Sequence, residues 1–293
     1  MLGLFDCGLS CISMASNSIA YVIIENQQQP KYNTPEMYHL WLEFRERNAT
    51  AVTASKVCAR LGIGYQSYNK EINSDDVGPL PGSTAETFIN HGLKWEPIAK
   101  RFIYCYLKIP PEVVLDNDIE VTRVFEFCCI GTPDIAKKVT FMGTPDIILD
   151  DQIIEIKCPA KGPLLYHTSK DMASLAHEYS IKHPQGPPRA FMQAFLYAFF
   201  WGKDKFSTYH LFVYNDEIDG VAIMFTYKMI KSAELYKYIF TLLKEIEHHL
   251  IRKLDIRTAK KYIVRDNIAR INWVTDLMKQ CFIESFIINH SYS

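Results

Sequence analysis

An α/β fold, with helices layered on a mixed β-sheet, is predicted by three features of this 293-residue chain. Apolar positions recur at helical spacing in segments from Pro35 to Leu107. From Ile119 the pattern changes to β-branched and aromatic runs, and two later runs are separated by Asp150, Asp151 and Gln152 as in a hairpin. A strongly apolar helix, 187–201, then stands before two further strand-like runs.

Each element has a local reason. Residues 1–30 read as an N-terminal extension ending in a linker, Gln27-Gln28-Gln29-Pro30, and 31–293 read as a single domain. Pro35 suits the first turn of a helix over 35–47. After Thr53, ASKVCARLGI predicts a short helix stopped by Gly62 and Gly64. Residues 73–82, NSDDVGPLPG, predict a loop. Two helical stretches follow, one around Glu86–Ile89 and one, after Gly92, from Lys94 to Leu107. IEVTRVFEFCCI predicts a strand, and IIL with IIEIK the hairpin. PPRAFMQAFLYAFFW predicts a buried helix opened by prolines and closed by Gly202. FSTYHLFVY and VAIMFTY predict two strands, 229–253 a long amphipathic helix, and the rest of 228–293 a helical C-terminal part.

Composition narrows the class. Apolar residues at 48% and charged residues at 22% are ordinary for a globular protein, so neither disorder nor a fibrous repeat is indicated. No run reaches the ~18 apolar residues of a membrane span. The mildly apolar start is interrupted by Asp6 and has no Lys or Arg before Lys31, unlike a secretory signal. The cysteines form no CxxC pair and no zinc spacing, and the adjacent Cys128 and Cys129 suit buried thiols; an intracellular protein, of cytoplasm or nucleus, is expected. A net charge of −1 argues against a passive nucleic-acid binder, whose affinity comes from neutralised phosphates, but leaves room for an enzyme with a local basic groove.

The chemistry concentrates in GTPDIILDDQIIEIKCP, residues 143–159. Strand alternation sends Glu155 and Lys157 to one face and Ile154 and Ile156 to the other. Asp146 enters the preceding strand, where pairing brings it towards the same point. Two carboxylates and an ammonium suit Mg²⁺-dependent phosphodiester hydrolysis: the carboxylates hold the ion, which polarises phosphate and acidifies water, while the lysine steers water or offsets developing charge. On most proteins such a triplet is a solvated face. Here its neighbours are strongly apolar, and buried charges persist only when paired or metal-bound. The tetrapeptide GTPD occurs twice, so Asp134 is a rival to Asp146; it lies farther from Glu155 and is followed by Lys137 and Lys138 rather than by a tight hairpin.

This hairpin, with Cys158-Pro159 after the lysine, resembles the active-site motif of the PD-(D/E)xK nuclease superfamily, and within it the lambda-exonuclease-like viral recombinase and alkaline nuclease family. Three other segments are similar to that family in the same order. Trp41-x-x-x-Arg45 followed by Val52-Thr53-Ala54-Ser55 resembles its N-terminal motif, whose Arg and Ser contact the terminal phosphate of DNA. The gap to Ser55 is longer here, so Arg47 is an alternative to Arg45. Gly92-Leu-Lys-Trp-Glu96-Pro97-Ile-Ala99 resembles the segment whose glutamate joins the metal site. Gln193 and Tyr197, one helical turn apart, resemble the last motif, whose glutamine lies in the cleft; Phe195 stands where relatives often carry a second glutamine. The likeness covers about residues 38–227.

The resemblance implies a restriction-endonuclease-like core. It also implies a Mg²⁺- or Mn²⁺-dependent deoxyribonuclease using two ions, with Asp146, Glu155, the Ile156 carbonyl and Glu96 as ligands. Lys157 and Gln193 would complete the catalytic set, with Arg45, Arg47, Ser55 and Tyr197 on DNA. The expected substrate is a linear duplex end degraded 5′→3′, in viral-type recombination or genome processing alongside a single-strand annealing protein. An endonuclease with the same chemistry, or an inactive DNA-end-binding protein, are the alternatives. The basic residues Arg45, Arg47, Lys56, Lys161, Arg189, Lys203 and Lys205 are candidates for a phosphate track, and His167, His177 and His183 read as loop residues.

Overall fold

The computed structural model describes residues 11–12, 19–30, 35–63, 84–117, 119–129, 138–159, 172–213, 220–252, 270 and 272–290. In chain order the elements are β1 (Cys11–Ile12), β2 (Ile19–Pro30), α1 (Pro35–Arg47), β3 (Val52–Thr53), α2 (Ala54–Arg60), α3 (Thr84–Tyr106) and α4 (Pro111–Asn117). There follow β4 (Ile119–Cys129), β5 (Lys138–Gly143), β6 (Ile147–Ile148), β7 (Gln152–Lys157), α5 (Met172–Lys182) and α6 (Pro188–Trp201). The chain continues with β8 (Lys205–Val213), β9 (Gly220–Lys228), α7 (Ala233–Arg252), α8 (272–281) and β10 (Phe282–His290). The α/β class is as expected, but the strands divide between two five-stranded mixed sheets, each in its own compact unit.

One unit comprises Met1–Asn73, Ile119–Thr144 and Ile230–Ile271, with strand order β1-β2-β4-β5-β3. β2 runs antiparallel to β4 from Ile19 to Pro30, so the Gln27–Pro30 segment is strand and not linker. Its backbone polar groups are met by β4, which outweighs the weak strand preference of a glutamine run. β3 pairs in parallel with β5, the short strand KVTFMG whose Val139 and Phe141 are fully buried. Leu242, Leu243 and Ile246 of α7 are buried, and Glu247 accepts the Thr140 backbone N–H at 3.0 Å.

The other unit comprises Ser74–Asp118, Pro145–Met229 and Asn272–Ser293, with strand order β10-β9-β8-β7-β6. β7 and β8 are parallel and the other pairs antiparallel. Alternation sorts the side chains. Ile154, Ile156, Tyr209, Leu211 and Met224 face Trp95, Ala99, Phe102 and Ile103 of α3. On the opposite face Phe206 and Tyr227 meet Phe191 of α6 at 5.3 and 4.9 Å between ring centroids. α3 is one helix through Gly92 and Pro97, not the two stretches expected. An interior proline costs about 3 kcal/mol, but the buried stripe of Trp95, Ala99, Phe102 and Ile103 offsets it, at roughly 1.5–3 kcal/mol per large side chain.

Two further expectations are corrected. The C-terminal part is not wholly helical: FIESFIINH forms β10 on β9, with Ile288 reaching the core. His177 lies in α5, and His183 directly follows that helix with its N–H on the Tyr179 carbonyl, so neither sits in an open loop. His167, Asp134, Lys161 and residues 73–82 lie outside the described residues. Among the described residues no helix is long and apolar enough to cross a membrane.

Candidate active site

The hairpin forms as its sequence predicts: Ile147 pairs with Ile154 and Ile148 with Ile153, and the turn closes through Leu149 N–H on the Gln152 carbonyl at 2.8 Å. Asn117, at the end of α4, covers the outer edge of β6. Its Oδ1 accepts Ile148 N–H at 2.6 Å, and its Nδ2 donates to the Ile148 carbonyl at 3.0 Å. β6 begins only at Ile147, so β7 runs on past it for Glu155, Ile156 and Lys157. Asp146 fills the space left beside that extension, its Oδ2 accepting Ile156 N–H at 2.6 Å. Because the N–H and C=O of one strand residue point to the same edge, the Ile156 carbonyl is directed to Asp146's side of β7.

Glu155 is 2% exposed. Its Oε1 accepts from Lys157 Nζ at 2.6 Å, whereas Oε2 is buried with no hydrogen-bond partner among the described residues. Burial, then Asp146, push the Glu155 carboxyl up to about 8 despite the lysine. Burial, then Glu96, raise Asp146 to about 6, against the pull of Lys157, the Ile156 N–H and Lys100. Burial disfavours the Lys157 ammonium, but Glu155 and Asp146 outweigh it and hold its pKa above the ordinary value. Burial is thus the main reason the carboxyls resist ionisation, with the charges of Asp146 and Glu96 adding to it.

Gln193 and Tyr197 reach the same place from α6. Lys157 Nζ donates to Gln193 Oε1 at 3.0 Å, and Gln193 Nε2 donates to the Tyr197 hydroxyl at 3.4 Å, so the amide's two ends are assigned by their neighbours. α6 is set by its ends. Pro188 opens it, and Gly202 closes it at φ 67°, as expected from sequence. Ahead of it Gly186 adopts φ 88°, and the Tyr227 hydroxyl, which donates to the Gln185 carbonyl, occupies the space a Cβ there would need. Arg189, in the first turn, acts on Lys157 through space.

Glu96 comes from α3 and acts electrostatically on both Asp146 and Glu155. Lys100, one turn further along and 9% exposed, acts on Asp146. No motif marked Lys100; its helical spacing from Glu96 is the signal that could have found it. The donor set fits an ion held by few protein oxygens, as Mg²⁺ is. Glu155 Oε2 is an unsatisfied buried acceptor, and burial together with the neighbouring carboxylates raises the pKa of both Glu155 and Asp146, a cost that a bound cation would relieve. It is not a closed cage, for among the described residues no three His, Cys, Asp or Glu side chains stand together as a metal cluster.

The remaining candidates are elsewhere. Arg45, Arg47 and Ser55 belong to the other unit. Arg45 lies 4.6 Å over the Trp41 ring and Arg47 pairs with Glu25 at 3.0 Å. Thr53 caps α2, accepting Lys56 N–H at 3.5 Å, and Ser55 lies in the first turn of that helix. Lys203 and Lys205 hold Asp150 and Asp151 at the turn, five positions from Lys157 along β7–β8 and so roughly 16 Å away.

Two solved structures overlap the chain. One is the alkaline exonuclease LHK-Exo from Laribacter hongkongensis, at 18% identity and a TM-score of 0.43 over 75% of this chain and 97% of that one. The other is LHK-Exo in complex with dAMP, at 17% identity and a TM-score of 0.41 over 72% and 94%. No protein-family model and no curated protein matches the chain.

Proposed function

We propose that the chain is a metal-dependent deoxyribonuclease that hydrolyses phosphodiester bonds at the end of the β6–β7 hairpin. The observation that carries this reading is the grouping of Asp146, Glu155 and Lys157, with Glu155 Oε2 buried and unsatisfied. Asp146, Glu155 and the Ile156 carbonyl would hold Mg²⁺ or Mn²⁺, with Glu96 assisting at a second position. The ion supplies Lewis acidity towards phosphate and lowers the pKa of water.

The chain's own groups do the rest. Lys157, held between Glu155 and Gln193, directs its ammonium into the site, where it orients water or offsets charge growing on the phosphate. Gln193, fixed by Tyr197, keeps that ammonium in place. Arg189 and Lys100 add positive charge against the polyanion. The four ordered motif segments support a linear duplex end as substrate, 5′→3′ polarity, and a role in viral-type recombination with an annealing protein.

The test is digestion of end-labelled linear duplex and closed circular DNA, with and without Mg²⁺ and a 5′ phosphate. Mg²⁺-dependent release of nucleotides from linear DNA, with circles intact, is expected. Cut circles would point to an endonuclease. Linear duplex bound but uncut under all conditions would overturn the nuclease reading in favour of DNA-end binding alone.

A further inference from the structure

His210 belongs to none of the motifs, yet it is the β8 residue paired with Lys157 in the parallel register, so the two side chains are neighbours on one face of the sheet. It is 1% exposed. The Tyr179 hydroxyl of α5 lies 3.3 Å from its Nδ1, and the ring packs against Tyr179 at 5.5 Å and edge-on against Phe225 at 5.6 Å. Nε2 is buried without a hydrogen-bond partner among the described residues. Burial, then Lys157 and His183, push the pKa of the ring down to about 3, so it is neutral.

A neutral imidazole has one donor and one acceptor nitrogen, and the bond made by one decides the role of the other. Beside an ammonium, the favoured tautomer turns its lone pair to the cation and its N–H away. Here that places the proton on Nδ1, where the Tyr179 oxygen accepts it, and the lone pair on Nε2. Lys157 uses two of its three N–H groups, on Glu155 and Gln193. A buried Nε2 left idle is unfavourable, so a donor brought to it would be held there.

We propose that His210 is a positioning residue for Lys157: anchored through Nδ1–H to Tyr179, it makes no hydrogen bond to the ammonium while Glu155 holds it, and its Nε2 lone pair accepts the N–H that Glu155 gives up on binding a cation. Its consequence for catalysis rests on the nuclease reading; its tautomer does not. With Glu155 occupied by a cation, Lys157 loses its nearest acceptor, and Gln193 and His210 keep the ammonium over the site.

The first measurement is a two-bond ¹H–¹⁵N spectrum of the full, metal-free chain labelled in histidine, with His210 assigned by its loss in His210→Gln. A protonated Nδ1 and bare Nε2 are expected; a protonated Nε2 overturns the proposal. The second compares His210→Leu with His210→Gln, whose amide oxygen reaches the Nε2 position, on linear duplex with Mg²⁺. His210→Leu should lower kcat about tenfold at unchanged KM, as for a lost hydrogen bond to a charged group, and His210→Gln should restore most of it. A wild-type rate in His210→Leu, or equal losses in both variants at wild-type melting temperature, also overturns it. Wild-type protein that cuts no DNA refutes the nuclease reading instead, and the tautomer still decides the proposal.

Discussion

Glu155→Gln is expected to make the metal-free protein insensitive to pH in a window where the wild type loses stability. The folded chain holds the Glu155 carboxyl protonated up to about 8, against an ordinary value of 4.5, chiefly through burial and the nearby Asp146. Its contribution is fully present below pH 4.5. Above that the folded state binds the extra proton, and stability falls by about 1.4 kcal/mol per pH unit until the folded group ionises. Those figures set a ceiling of about 5 kcal/mol. Asp146, raised to about 6, titrates with Glu155, so a loss of about 2–5 kcal/mol is expected. Glutamine still accepts from Lys157 but cannot ionise. The assay is urea unfolding at several pH values between 5 and 8.5 in chelator, followed by tryptophan fluorescence, three of the four tryptophans (Trp95, Trp201 and Trp273) lying in the unit that holds the site. Above pH 6 the wild-type midpoint should keep falling while the variant's stays nearly level, the fall below pH 6 that Asp146 contributes being common to both. Mg²⁺ or Mn²⁺ at the alkaline end should restore the wild type and not the variant, since an ion that binds only the folded state stabilises it. Parallel pH profiles for the two proteins would refute the reasoning.

Other substitutions probe other links. Asp146→Ala should abolish cleavage while Asp134→Ala leaves it largely intact; equal losses with folding preserved would remove Asp146 from the site. Lys100→Met should raise the Asp146 pKa, because Lys100 pulls it down, and so shift the acid limb of the pH–rate profile to higher pH; an unmoved limb would deny Lys100 that influence. Gly186→Ala should destabilise the chain by about 2 kcal/mol or more, through a left-handed φ and the Tyr227 hydroxyl, read as a lowered melting temperature. A wild-type melting temperature would mean that the Gly186 turn relaxes freely.

The local pattern alone determined the hairpin, the shared face of Glu155 and Lys157, the buried helix from Pro188 to Trp201 and its glycine stop. Alternation, proline and left-handed glycine are properties of a few adjacent residues, so they need no partner to be read. Gln193 and Glu96 were legible only through their motifs. Tertiary structure decided the rest. The glutamine run at 27–29 became a strand because β4 lies beside it, and Pro97 was kept inside α3 because a buried stripe runs through it. Lys100, Asn117 and His210 gained their places from elements far along the chain: α3 against the sheet, α4 against Ile148, β8 against β7. The triplet itself changed standing in the same way. Sequence placed two of its charges on one face, but their burial, the unsatisfied oxygen of Glu155 and the raised carboxyl pKa values exist only once helices cover both sides of the strand that carries them.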